Sequence, residues 1–101
     1  VGSKEVGKMT FSISGKRITS SEGFSIESLG REGMRYREGE RSLYVFTEYL
    51  IPKGIGVSTE SIERWDPPFD GDEIGSVKKD EILARIRAAL ASVGETAVFG
   101  S

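Results

Sequence analysis

Hydrophobic and polar residues alternate along the first half of the chain. Met9, Phe11 and Ile13 are interleaved with Thr10, Ser12 and Ser14. A period of two buries one face of a strand and wets the other, so a strand is predicted here. Gly15-Lys16 turns the chain into Arg17-Ile18-Thr19, and Ser20 to Gly23 is a polar break. Phe24 and Ile26 alternate with Ser25 and Glu27, and Gly30-Arg31-Glu32-Gly33 makes the next turn. Met34 and Tyr36 lead through Glu38-Gly39-Glu40 into Leu43-Tyr44-Val45-Phe46-Thr47. Two β-rich runs around a polar, glycine-bearing turn predict a hairpin. Its second arm is apolar on both faces, Leu43 and Val45 on one, Tyr44 and Phe46 on the other. That predicts a central strand covered on its second side. Pro52-Lys53-Gly54 ends the run, and Ile55 and Val57 begin another strand. Residues 1–8 show no such pattern and read as a flexible tail.

The period changes in the last third. Ile82, Leu83, Ile86, Ala89, Leu90 and Val93 fall at three- and four-residue spacings, with Lys78, Arg85, Arg87 and Ser92 mostly off that stripe. This is an amphipathic helix of roughly four to five turns. Ser76 suits its N-cap and Gly94 its C-terminal stop. Thr96 to Phe99 reads as a short closing strand. The order predicts an α+β fold over residues 9–101, a single domain. It is a twisted antiparallel sheet with one long C-terminal amphipathic helix packed on one face. The apolar stripe of the helix would cover the second face of the Leu43–Thr47 strand.

Composition narrows the chemistry. The chain contains no Cys and no His. Disulfides, thiolate nucleophiles, Fe–S clusters, cysteine or histidine metal sites and Ser-His-Asp triads are therefore excluded. Catalysis would have to rest on carboxylates, Lys or Tyr, and no catalytic residue, metal or cofactor is expected. Charged residues make up 30% of the chain, yet the net charge is only −2, unlike a disordered segment. No apolar run approaches the ~18 residues of a membrane span. Val1 to Thr10 lacks the apolar stretch of a signal peptide.

Charge is nevertheless segregated. Residues 60–73 hold six acids (Glu60, Glu63, Asp66, Asp70, Asp72, Glu73) and one base, Arg64. Trp65-Asp66-Pro67-Pro68-Phe69 stands in their middle. Two prolines bar helix and central strand, leaving a stiff acidic loop with two large aromatics. Stiff aromatics ringed by charge suit a binding surface, since little entropy is lost on docking. Trp65 and Phe69 would be anchors there, Asp66, Asp70, Asp72 and Glu73 would supply charge complementarity, and Pro67 and Pro68 would preorganise the loop. The competing reading tucks both aromatics under the sheet and leaves the acids as a solvated rim.

Other motifs fail on inspection. Asp70-Gly71-Asp72-Glu73 resembles part of a calcium loop, but from Asp66 onward prolines fill the next two places of that pattern. Paired carboxylates can hydrolyse glycosides, but nothing here implies a companion cleft. Gly2 to Lys8 approaches a phosphate-binding loop, but Met9 stands where Ser or Thr must ligate magnesium. Arg31, Arg35, Arg37 and Arg41 surround the hairpin with Tyr36 and Tyr44 among them. Glu32, Glu38, Glu40 and Glu48 offset them, so cross-strand ion pairs are expected rather than nucleic-acid binding.

Three pieces of the chain occur in an order that carries a resemblance. The first is Met34-Arg35-Tyr36-Arg37-Glu38-Gly39, continued by Arg41-Ser42-Leu43-Tyr44-Val45 and Glu48. The second is Ile62-Glu63-Arg64-Trp65-Asp66-Pro67-Pro68. The third is the helix from Lys79-Asp80-Glu81-Ile82-Leu83 to Ala88-Ala89-Leu90. From about Phe24 to Phe99 the chain resembles a family of immunity proteins from bacterial polymorphic-toxin loci. The first 23 residues add nothing to the match. The resemblance implies a protein that binds a cognate toxin domain in the cytosol and blocks it without catalysis. Were the toxin a nuclease, the acidic loop would complement its basic cleft. The alternative is a small ligand- or metal-binding housekeeping domain, with the acidic loop lining its pocket.

Overall fold

A computed structural model of the chain describes residues 2–6 and 9–100, with side chains from Met9 onward. Six strands form an antiparallel meander: β1 (Gly2–Val6), β2 (Met9–Ser14), β3 (Arg17–Ser20), β4 (Phe24–Ser28), β5 (Met34–Glu38) and β6 (Arg41–Val45). Where a tail is expected over residues 1–8, Gly2–Val6 pairs along β2 as an edge strand. Val1, Gly7 and Lys8 lie outside the described residues. In the β5–β6 hairpin Glu38 pairs with Arg41. That leaves Gly39 first in a two-residue turn with φ at +57°, a value glycine reaches without strain.

The predicted Leu43–Thr47 strand is divided. After Val45 the chain leaves the first sheet, and Thr47–Tyr49 (β7) starts a second one with Ile55–Ser58 (β8) and Ala97–Gly100 (β9). Phe46 is the crossing point. Its N–H donates to Ser61 Oγ, and its carbonyl accepts from the Ser58 N–H. The closing strand runs parallel to β8. A parallel pair needs a long crossover, and the helix α1 (Ser76–Ala91) lies within it. Gly75, not Ser76, occupies the N-cap, and Gly94 follows the helix end.

The helix buries Ile82, Ile86, Ala89 and Leu90, while Val93 lies beyond its end and stays exposed. These side chains join Phe11, Phe24, Tyr36, Leu43 and Val45 in one core. Leu43 and Val45 thus face the core, as the alternation predicts. The second face is not covered: Tyr44 and, just beyond β6, Phe46 are exposed, because the helix packs on the face that carries Leu43 and Val45. Tyr44 lies across Gly33, where a Cβ would stand 2.5 Å from the Val45 carbonyl oxygen.

Candidate functional site

The acidic loop is built from the free edge of β6. Ile62 is buried. Ser61 Oγ donates to the Ser58 carbonyl while accepting from Phe46. Farther along, Arg64 and Glu73 form an antiparallel bridge that closes the loop at its base.

Trp65 then turns inward and is only 5% exposed. Its ring lies 6.5 Å from that of Tyr36, extending a row of aromatics from Phe11 through Phe24 and Tyr36. The expectation of Trp65 as an exposed anchor is thereby corrected. An indole with almost no accessible surface belongs to the core and positions the loop from beneath.

Asp66 locks the next position. Its N–H donates to the Ser42 carbonyl at 2.8 Å. Its Oδ2 accepts from Ser42 Oγ at 2.9 Å and from Arg35 Nη1. One aspartate thus holds the β6 edge at Ser42 with backbone and side chain together. Pro67 and Pro68, joined by a cis peptide bond, follow and are exposed. The Phe69 N–H donates to the Asp66 carbonyl and the Asp72 N–H to the Phe69 carbonyl, so two tight turns stack at the apex.

Phe69 is half-buried against the core. Arg41 covers it, with the guanidinium carbon 4.5 Å from the ring centroid, and also pairs with Asp72 at 2.7 Å. Phe69 is thus partly covered by its own chain. The expected roles separate accordingly. Asp66 and Asp72 are held by Arg35 and Arg41. Asp70 and Glu73 are exposed and carry no ion pair among the described residues. The Asp70 carbonyl accepts from Arg64 Nη1, which braces the apex from the other limb.

A second polar cluster, absent from the residue-by-residue reading, lies where β5 meets the helix. The Tyr36 hydroxyl donates to Glu38 at 2.7 Å and accepts from Arg85 at 3.0 Å. Glu38 also receives Lys78, and Lys78 bridges to Glu81. Burial pushes the Tyr36 hydroxyl far above its ordinary pKa, with Arg85 opposing and Glu38 adding to the shift. The hydrogen bond from Lys78 holds Glu81 below the usual carboxylate range, and the same bond raises Lys78. The signal for this cluster was the inward position of Tyr36 opposite Leu43, but its partners on the helix lie 40 and more residues away. Cross-strand pairing of the basic residues is seen at Glu27, which takes Arg17 and Arg37.

Among the described residues, no three carboxylates converge as a metal site, and no helix is long and apolar enough to cross a membrane. Clefts of about 510 and 280 Å³ lie elsewhere, and none of residues 60–73 lines either one. What the loop offers is a braced acidic apex. The profile of the immunity protein 74 family matches residues 26–99, and the chain belongs to that family. The match spans the hairpin, the acidic loop and the helix, and the toxin-system, bacterial context follows from it. Neither a curated protein nor a solved structure matches the chain.

Proposed function

We propose that the chain binds a cognate bacterial toxin domain in the cytoplasm and neutralises it by occupancy, without catalysis. The contact surface is the loop from Pro67 through its apex to Glu73, with Asp66 and Trp65 holding it in place from below. The observation that carries this reading is the bracing of the apex. Trp65, Asp66 and Arg41 fix the loop from three sides, while Asp70 and Glu73 are left exposed and without an ion pair among the described residues. A fixed acidic projection loses little entropy on docking and speeds encounter with a basic surface. A basic cleft, such as one that grips a phosphate backbone, is the complementary target.

Growth rescue tests the reading. The C-terminal domain of the reading frame beside this gene is expressed alone and together with this chain. Killing by the domain and recovery with the chain are expected; a domain that kills regardless, or is harmless, removes the support. A ligand-binding reading draws on the apolar cleft of about 510 Å³ lined by Ile18, Ile26, Met34 and Leu90. It places no function on the acidic loop, and it predicts a melting temperature raised by a small apolar ligand.

A further inference from the structure

The outer face of the second sheet carries an apolar groove. Phe46, the residue entering the sheet, and Val98 are exposed on it, whereas Tyr49 pairs with Ile55 and faces the other side. Glu48, Gly56 and Val98 are neighbours in one cross-strand row. Gly56 leaves a groove of about 280 Å³ walled by Phe46, Leu50 and Val98. A Cβ there would stand 3.2 Å from Glu48 Cγ and 3.3 Å from Leu50 Cδ2. A sheet with one wet face ordinarily carries polar residues on it, and clustered exposed apolar residues mark interaction sites. The two-faced apolar pattern of Leu43 to Phe46 anticipates a cover, and among the described residues no element provides one at Phe46.

Charge specifies the cover. Glu48 stands in the groove wall without an ion pair among the described residues. Phe46 is bonded to Ser61, which is flanked closely by the exposed acids Glu60 and Glu63. Lys53 stands at the far turn. A second copy of the chain docked about a two-fold axis through the groove would set Glu48 against Glu48, which is unfavourable at a drying interface. We propose that this face docks a protein segment that lays one apolar side chain over Gly56 and brings a Lys or Arg to Glu48. That the segment belongs to the toxin rests on the function proposed above; the chemistry of the face does not.

A random peptide library displayed on phage, selected on the full chain, tests this. Enriched peptides should pair a Lys or Arg with a neighbouring aromatic or aliphatic residue. They should bind F46S and E48K about tenfold more weakly and D70K/D72K unchanged. Glu48 is exposed, so E48K reports on binding even if F46S folds poorly. Enrichment without basic residues, no enrichment at all, or equal binding to E48K overturns the proposal. So does light scattering that shows a dimer of the chain broken by F46S, since a second copy would then own the face. Failure of growth rescue alongside Phe46-dependent peptide binding removes the toxin and leaves the surface. Peptide binding lost in D70K/D72K but not in E48K removes the surface and leaves the loop.

Discussion

Trp65 packs against Tyr36 with ring centroids 6.5 Å apart and planes tilted by 30°. The contact ties the acidic loop to β5, whose Tyr36 is itself tied to the helix through Arg85. Loop, sheet and helix therefore share one structural joint. Trp65→Ala removes a buried aromatic and should cost about 3–5 kcal/mol of stability. Chemical denaturation measures this. Any loss of partner binding in this variant should follow the loss of folded protein.

Asp66 and Asp70 differ in what they hold, although both are acids of one loop. Asp66→Ala frees Arg35 and Ser42 and should cost about 1–2 kcal/mol, reduced from a buried value by its partial exposure. Asp70→Ala removes no side-chain partner and should leave the melting temperature within experimental error. Equal melting temperatures for the two variants would contradict the clamp assigned to Asp66.

Alkaline pH should destabilise the fold through Tyr36. Burial, opposed by Arg85 and reinforced by Glu38, raises the pKa of the folded tyrosine above that of the unfolded one. The folded state therefore keeps a proton that the unfolded chain releases, and stability is full below about pH 10 and falls above it. Lys78, also raised, works in the same direction. Tyr36→Phe should cost about 1 kcal/mol at neutral pH and flatten the alkaline slope. Denaturation midpoints measured from neutral pH into the alkaline range for both proteins give the comparison.

Reversal of the apex charges should separate binding from folding. Asp70→Lys with Asp72→Lys replaces the exposed Arg41–Asp72 pair, which contributes about 0–1 kcal/mol, by a solvent-screened like-charge contact. The melting temperature should scarcely move, while affinity for the toxin domain should fall at least about tenfold, mainly through slower association at low salt. Unchanged affinity would place the contact elsewhere on the chain.

Local pattern made much of this fold legible. Alternation located Met9 to Ser14, Phe24 to Glu27 and the Met34–Val45 hairpin, and helical spacing located Ile82 to Leu90. The division at Phe46 was not legible, because Leu43 to Thr47 keeps one unbroken alternation while its chain changes sheets. The parallel pairing of β8 with β9 was hidden for a related reason: it is a non-local choice with no mark in either strand. In the loop, composition marked the acids and prolines, but the partition between held and free acids depends on Arg35 and Arg41, each 31 residues from its aspartate. Trp65 had two open fates, and the aromatic row through Tyr36 decides for burial.

The most direct measurement is a titration of the purified toxin domain, taken from the adjacent reading frame, with this chain while toxin activity is followed. Neutralisation by occupancy predicts that activity falls linearly and ends at one equivalent, with the D70K/D72K chain needing a large excess. Loss of activity at a small fraction of an equivalent, growing with time, would mean turnover and contradict a binding protein; undiminished activity at saturating chain would contradict neutralisation itself.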